Sequence, residues 1–496
     1  MILHINHVAR TRPAKPGGRA QKSLGEVTSL LAGSLVKLIE DRSLDARLLS
    51  SLHVHLDWLQ YKTNFRDPIV VRRAVDADGQ PMALAEIAVD LRQADQTTLP
   101  QDLGAALEIV SDGPGAGAGD GRVFLDQFSP FRESIIWRFN QLFWERVGEW
   151  EAASGKGFEA ALPGGKSDAN DEQAVADTVK DFWSRLRDLD ERGQLPAEIY
   201  ALEIGVGSGA HAKLWLDRFK LLDDSNGTGY YDRLCFIFGD YSLFTLERAR
   251  QATGPHAPLV KLVPMNALDP FKALPSHRFK VSYVHLTNVY DNLIFDELVR
   301  RDGRVYIVEV RAYVSAEAAA RLESDYDVKR DALASVVQRL FEVGPDVMGD
   351  HDRGMAFWRQ LWDAVRLEER LRALDDSEEA HVPPGLTRFH LDDLLAEAPD
   401  DVRFHVSRGA AESFASTLPL LHPRGYLEVQ DIFVASMEEY RQGFRGPGKL
   451  DGSLVTWVNG ALLRAVGRRA GYDVHFKPYT YRPGSRTSIL YTTQRA

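Results

Sequence analysis

Residues 201–210 read Ala-Leu-Glu-Ile-Gly-Val-Gly-Ser-Gly-Ala, with three glycines at alternate positions where an apolar strand gives way to a helix. Gly205 and Gly207 permit a tight turn and a close approach of backbone to a ligand, and Gly209 lets the following helix pack closely. The helix N-terminus then offers amides to an anionic group. These glycines match the dinucleotide spacing GxGxxG/A, so alone they point to a nucleotide-like ligand without saying which. Glu203 adds a carboxylate where dinucleotide-binding strands carry an apolar residue, and a carboxylate there attracts positive charge. Other polar groups recur at later strand ends. Asp240 closes the run Cys235-Phe-Ile-Phe-Gly-Asp240 and can accept from both hydroxyls of a ribose, or simply cap the next helix. Asn266, within Met265-Asn-Ala-Leu268, can bond the exocyclic amine of a base with Ala267 as apolar contact, or act as a turn residue. Thr287, Asn288, Tyr290 and Asp291 follow the fourth strand, where a hydroxyl or carboxylate can orient a second substrate or take its proton. His285, inside that apolar strand, reads as a buried structural histidine.

These groups need a scaffold that gathers successive strand ends, and the hydrophobic pattern supplies one. From about residue 198 short apolar runs alternate with helical segments, which predicts a parallel sheet covered on both faces. Strands are expected at 199–204, 234–238, 259–263, 281–286 and 426–433, and helices at 210–222, 243–252, 410–421 and 455–470. Alternating segments at 472–479 and 487–493 flank Pro483-Gly484 and predict an antiparallel hairpin at the sheet edge. An insertion over 303–402 opens with a strand at 305–314 and continues as helices over 316–343 and 355–374, suited to a lid. Upstream, 23–59 has helical spacing, 69–71 and 83–89 are short strands, and 131–150 gathers Trp137, Phe139, Phe143, Trp144 and Trp150 in one helix. The Gly-rich 112–121 and polar 154–173 read as loops. The expected division is a flexible basic tail (1–25), a mainly helical N-terminal region (26–190), a ligand-binding domain (191–302 and 403–496), and a largely helical insertion or lid (303–402).

The carboxylate and three glycines resemble the first motif of class I methyltransferases. Residues 195–496 resemble more specifically the MidA-like family, which includes the mitochondrial complex I assembly arginine methyltransferase. The resemblance rests on the long gap after the glycine motif, on Asp240-Tyr-Ser242 leading into a helix, and on the insertion after the fourth strand. It rests also on Val402-Arg-Phe-His-Val-Ser407, His422-Pro-Arg-Gly425, Tyr426-Leu-Glu-Val-Gln-Asp431 and Leu454-Val-Thr-Trp-Val458. It implies an α/β, Rossmann-like class I methyltransferase fold, with a seven-stranded, mostly parallel sheet ending in an antiparallel hairpin. It implies S-adenosylmethionine as cofactor, with Glu203, Gly205, Gly207, Gly209, Asp240, Asn266, Ala267 and Thr287 around it. Asp291, Asn288 and Tyr290 are then the catalytic candidates facing a protein or small-molecule acceptor. Members carry Asn-Glu-x-x-Asp after the fourth strand; here Thr287-Asn288-Val-Tyr-Asp291 keeps the aspartate, and the loss of the glutamate weakens the charge argument for arginine as acceptor.

Composition sets the outer bounds. The 496 residues are 44% hydrophobic and 26% charged, an ordinary globular usage with room for two or three domains. A net charge of -11 leaves no basic excess for a polyphosphate backbone, which disfavours general nucleic-acid binding. A single cysteine, Cys235, excludes a disulfide framework and fits a reducing compartment. No run approaches the roughly 18 apolar residues of a membrane span. Arg10, Arg12, Lys15, Arg19 and Lys22 precede the first acid, Glu26, but Pro13 and Pro16 break a presequence helix. A cytoplasmic, bacterial-type protein is therefore expected, with the mitochondrial matrix second; an oligomer is left open. The histidines read as scattered, so no metal is expected. Two rivals stand beside the methyltransferase. An NAD-dependent oxidoreductase needs an acid about 20 residues after the glycines, whereas Asp240 lies 35 beyond Gly205 (240 − 205). A non-catalytic scaffold that keeps the fold is the other.

Overall fold

The computed structural model describes residues 2–6, 52–57, 61, 63–94, 97–111, 121–162, 164–374, 388–441 and 446–495, with single residues between 29 and 51. The Gly-rich run 112–120, the basic stretch 7–25 and most of the helical spacing expected over 23–51 lie outside these. Two large sheets organise the chain. The first takes β1 (Ile2–Asn6), β2 (Leu52–Asp57), β3 (Ile69–Val75) and β4 (Pro81–Asp90) from the N-terminal region. The second starts with β5 (Ile199–Ile204), β6 (Leu234–Asp240), β7 (Val260–Pro264) and β8 (Val281–Thr287). The chain then returns to the first sheet with β9 (Asp296–Arg301), β10 (Arg304–Val314), β11 (Arg366–Ala373) and β12 (Val402–Val406), and closes in the second with β13 (Leu421–Asp431), β14 (Tyr472–Pro478) and β15 (Ser488–Gln494).

The second sheet has seven strands in the order β14-β15-β13-β8-β5-β6-β7. Its five neighbours from β13 to β7 pair in parallel, and β15 runs antiparallel between β13 and β14. The central strands are buried on both faces, which is why Ile-Tyr-Ala-Leu-Glu-Ile and Val-Ser-Tyr-Val-His-Leu-Thr read as nearly continuous apolar runs. On one face lie α4 (Glu172–Glu191) and α5 (Ala210–Asn226), where Phe182, Trp215 and Phe219 pack on Ala201, Phe236 and Tyr283. On the other, α10 (Arg408–Thr417) and α11 (Gly460–Arg469) bring Phe414 and Leu463 against Leu202, Val284 and Leu427. The same cluster includes Leu298, Ile307 and Phe404 of the first sheet, so the two sheets share a core.

The first sheet is mixed, in the order β1-β2-β4-β3-β11-β10-β9-β12, with two short strands also on β10. One face of β2 and β4 (Leu52, Val54, Leu56, Ile87, Val89) packs on α1 (Leu99–Ser111) through Leu103 and Leu107. Register puts Arg72, Glu86, Glu369, Glu297, Arg301 and Arg403 together on the opposite face, and they form a continuous buried ionic chain. Burial works to raise Glu369, but the Arg403 and Arg72 guanidiniums hold it well below the usual carboxylate range. Helices α2 (Ile136–Glu145), α3 (Val147–Ser154), α7 (Ala316–Tyr326), α8 (Leu333–Val343) and α9 (His351–Ala364) cover this face, with Phe139, Leu322, Val337 and Trp358 against Val308 and Val310.

Several expectations need correction. The N-terminal region is mixed rather than mainly helical: beside α1 to α4 it supplies β2, β3 and β4 of the first sheet, and residues 52–57, placed in the helical stretch 23–59, form β2. Residues 2–6 of the expected tail form β1, paired in parallel with β2. The helix expected over 355–374 stops at Ala364, and 366–373 is β11. Its sequence Arg-Leu-Glu-Glu-Arg-Leu-Arg-Ala favours helix by propensity, but Leu367, Glu369 and Leu371 repeat with period two and are buried on one face of the sheet. The expected single helix over 131–150 is a short turn followed by α2 and α3. Helix α6 (Leu243–Ala252) has the bounds expected for it, capped by Ser242 Oγ, which accepts from the Thr245 amide at 3.2 Å.

Candidate functional site

A cavity of about 690 Å³ opens over the C-terminal ends of β5, β6, β7 and β8. It exists because each of these strands ends in a residue that turns the chain sharply. After β5 the backbone of Gly205 has φ 75°, and a Cβ there would lie 2.5 Å from Val289 Cγ2. Gly209 has φ 77° at the start of α5, and a Cβ there would lie 2.7 Å from the Ala249 backbone. Gly209 thus sets the approach of α5 to α6, and Gly205 the approach of the turn to the β8 end.

Most of the residues singled out in the sequence meet at this cavity. Gly205, Gly207, Asp240, Asn266, Ala267, Thr287 and Asn288 all line it. Asp240 accepts from the Ser242 amide at 3.0 Å; burial pushes its carboxyl up, while the amides of Ser242, Gly207 and Tyr241 work against that rise. The cap of α6 is Ser242, which leaves Asp240 at the wall rather than in the helix. Asn266 accepts from the Leu268 amide at 2.9 Å, so its Oδ1 shapes the turn while its side chain borders the cavity. Asn288 sits at φ 52°, a left-handed conformation that asparagine tolerates, and its amide donates to Gln430 at 3.0 Å.

Four of the expected residues are not at the wall. Gly209 acts one layer behind it, as described. Glu203 is buried, its Oε2 3.1 Å from His211 Nδ1 of α5. His211 stacks on His285 at 4.1 Å between ring centroids, and His285 Nε2 lies 2.8 Å from Thr287 Oγ1. The cavity hydroxyl of Thr287 therefore stands on a buried column of Glu203 and two imidazoles. Burial, then the neighbouring His211, lowers His285, which keeps it neutral as a structural histidine. Tyr290 and Asp291 turn away from the cavity, against the expectation that Asp291 faces it, because the chain after Asn288 coils into a short turn held by Asp431. Asp431 Oδ2 accepts from the amides of Tyr290 (2.9 Å) and Asp291 (3.2 Å), and Oδ1 from Ile432 (2.7 Å). Burial raises both carboxyls and the charge of Asp431 raises Asp291 further; Asp431 is pushed up to about 7. Both carboxyls are thus held toward the neutral form, Asp431 less so because three amides bond it.

The roof of the cavity comes from the N-terminal region. Trp137, Asn140, Gln141 and Trp144 of α2 line it, followed by Val147, Glu151, Phe158, Glu159 and Leu162. Asn140 clamps α2 in place: its Nδ2 donates to Asn292 O at 3.0 Å and its Oδ1 accepts from the Leu454 amide at 2.9 Å. Polar contacts join roof to floor, and Gln141 Nε2 of α2 donates to Tyr241 OH at 3.2 Å. Tyr241 OH donates to Glu145 at 3.0 Å, Arg248 pairs with Glu151 at 2.7 Å, and Ser208 Oγ donates to Glu159 at 2.8 Å. The aromatic helix α2 covers the site, whereas the described residues of the insertion 303–402, expected to suit a lid, do not line it. Asn140, Gln141, Glu151, Glu159 and Arg248 were not singled out from the sequence. The only signal was the polar pair Asn140-Gln141 interrupting an aromatic run. Among the described residues no helix is long and apolar enough to cross a membrane.

No family model matches the chain, and no curated protein matches it. Among solved structures, a protein from Burkholderia thailandensis bound to S-adenosyl-homocysteine is similar over 81% of this chain and 94% of its own, at 14% identity and a TM-score of 0.44. An uncharacterized protein from the same organism is similar over the same shares at 13% identity and a TM-score of 0.44. An O-methyltransferase family protein, also from B. thailandensis, is similar over 66% of this chain and 60% of its own, at 11% identity and a TM-score of 0.26.

Proposed function

We propose that the chain transfers a methyl group from S-adenosylmethionine to a second substrate held in the same cavity beneath α2 and α3. The observation that carries this reading is the sheet: a glycine turn after the central β5, a carboxylate after its neighbour β6, and an antiparallel β15 inserted between β13 and β14. A dinucleotide-binding sheet of two mononucleotide halves has a sixth parallel strand instead, which disfavours the NAD-dependent alternative. The residues present fit the cofactor. The turn at Gly205 and Gly207 leaves open backbone at the wall, and Asp240 and Asn266 supply an acceptor and an amide at the ends of the next two strands. Bound there, S-adenosylmethionine supplies an electrophilic methyl group.

The chain's own residues do the rest by position. Asp240 accepts from the ribose hydroxyls, Asn266 and Ala267 take the adenine edge, and Thr287 presents a hydroxyl on the floor. Asn288 borders the acceptor side, and the roof of Trp137, Trp144 and Phe158 excludes water and presents flat apolar surface. Asp291 acts as a positioning residue, its Oδ1 accepting from Asn292 Nδ2 within the turn that Asp431 holds and that presents Asn288. Of the acids at the wall besides Asp240, Glu151 is paired with Arg248 and Glu159 is bonded to Ser208 and Asn170. This favours a neutral or aromatic acceptor over an arginine side chain.

Calorimetric titration with S-adenosylmethionine, S-adenosyl-homocysteine and NAD tests the reading. Micromolar binding of the first two and none of NAD is expected; NAD binding, or no binding of either sulfur compound, refutes it. The inward-facing Asp291 favours one second reading, a cofactor-binding scaffold without turnover. Cofactor binding with no labelled methyl transferred to cell-extract acceptors would select it.

A further inference from the structure

Strand β2 reads Leu-His-Val-His-Leu-Asp, and its period-two alternation puts His53 and His55 on one face while Leu52, Val54 and Leu56 pack on α1. The parallel register of β1 sets His4 opposite His55, and that of β4 sets Glu86 opposite His53. Three imidazoles from two strands, one of them 49 residues upstream, therefore converge at one edge of the first sheet. Each offers a nitrogen within 4.8 Å of the other two, and His4 Nε2 lies 3.0 Å from His53 Nδ1. His53 and His55 are buried, and His4 closes the group from the edge strand.

From this convergence we propose a divalent transition-metal site, of the zinc class, held by His4, His53 and His55. Two nitrogens bound to one zinc at about 2.0–2.1 Å lie about 2.8–3.4 Å apart for angles between octahedral and tetrahedral. The His4 and His53 nitrogens already have that spacing. Carboxylates stand where they orient metal-bound imidazoles: Glu86 Oε1 is 3.4 Å from His55 Nε2, and Asp302 Oδ2 is 4.0 Å from His53 Nε2. His55 Nε2 is buried and makes no hydrogen bond of good geometry. Arg301, the nearby cation, is paired to Glu86, and Asp302 adds a second carboxylate beside the cluster. Three neutral donors and one open position suit a borderline cation better than calcium or magnesium, which take oxygen ligands. The sequence signal was the His53-x-His55 pair, which a strand, unlike a helix, places on one face; the reading of the histidines as scattered is corrected accordingly.

The site is independent of the cofactor cavity and its test does not use activity. The full chain, freed of any histidine tag and of metal by chelator and dialysis, is titrated with Zn²⁺ by calorimetry and with Co²⁺ by visible absorption. One ion per chain is expected, with cobalt bands of a low-coordinate nitrogen site and a rise in melting temperature on zinc addition. His53→Ala should weaken binding at least tenfold. If that buried variant does not fold, His4→Gln on the edge strand carries the test with the same expected loss. Absence of binding, or binding undiminished by His4→Gln, would overturn the proposal and leave a stacked, hydrogen-bonded histidine cluster.

Discussion

Replacing Gly205 by alanine probes the geometry of the cavity floor most directly. The residue sits at φ 75°, where an L side chain costs about 1–2 kcal/mol. Its new Cβ would stand 2.5 Å from Val289 Cγ2, about 1 Å or more inside the optimum for carbon atoms. Relieving such an overlap in a packed site costs about 1–3 kcal/mol. Gly205→Ala should therefore lose about 2–5 kcal/mol of stability in urea denaturation. Val289→Ala removes Cγ2 and leaves Val289 Cβ at 3.8 Å, an ordinary contact. In the double variant the overlap disappears while the backbone strain stays, so a double-mutant cycle should give about 1–3 kcal/mol of coupling. Because Val289 also lines the cavity, calorimetry with S-adenosyl-homocysteine should show partial recovery of affinity in the double variant relative to Gly205→Ala. Strictly additive losses, or a neutral Gly205→Ala, would refute the reasoning.

Other expectations follow from the same geometry. Asp240→Ala should weaken S-adenosylmethionine binding by about 1–3 kcal/mol, and unchanged affinity in calorimetry would rule out the ribose role. The buried pair Asp291 and Asp431 has raised folded pKa values, so its stabilising protonation is complete below about pH 4 and is lost as pH rises through about 7, where Asp431 titrates. Asp291→Asn should therefore flatten the pH dependence of stability between pH 5 and 8; urea midpoints that still fall in parallel with the parent would contradict the pairing. Asn140→Ala leaves the Asn292 carbonyl and the Leu454 amide without their partner, which at about 1–3 kcal/mol for each unsatisfied group predicts a loss of about 2–6 kcal/mol. Hydrogen exchange over 136–154 should speed up in that variant, and unchanged exchange would mean that α2 is held by its aromatic contacts alone.

The seven-stranded sheet was legible because its central strands are buried on both faces and separated by amphipathic helices. That pattern placed β5 and α6 at their observed bounds and located Asp240, Asn266 and Thr287 at strand ends. The first sheet was legible only in part: strands at 69–71, 83–89 and 305–314 were expected within β3, β4 and β10, whereas β2, β9, β11 and β12 were not, for a physical reason. Its buried face is lined by Arg72, Glu86, Glu297, Glu369 and Arg403, charges that satisfy one another only once five strands meet, so each strand alone looks like a solvated segment. Strand β11 is the clearest case, since arginine, leucine and glutamate favour helix until Arg72 and Arg403 reach Glu369. Within the site, residue type identified Asp291 as a carboxylate worth attention but not its direction. The turn held by Asp431, 140 residues later, decides that.

The ionic chain across the first sheet also sets a timetable for synthesis. Arg72 of β3 meets Glu369 of β11, 297 residues further along the chain. At about 5–20 residues per second on a ribosome, roughly 15–60 s separate the appearance of the two partners. During that interval β3 and β4 can form their hairpin on α1, but the outer edge of β3 has no strand to pair with. An open strand edge invites association with other chains, and inward-pointing charges are one of the devices that discourage it. The nascent N-terminal hairpin presents Arg72 and Glu86 on the face that waits. The same charges that hold the finished sheet together are thus of the kind that disfavours stray strand pairing in an unfinished one.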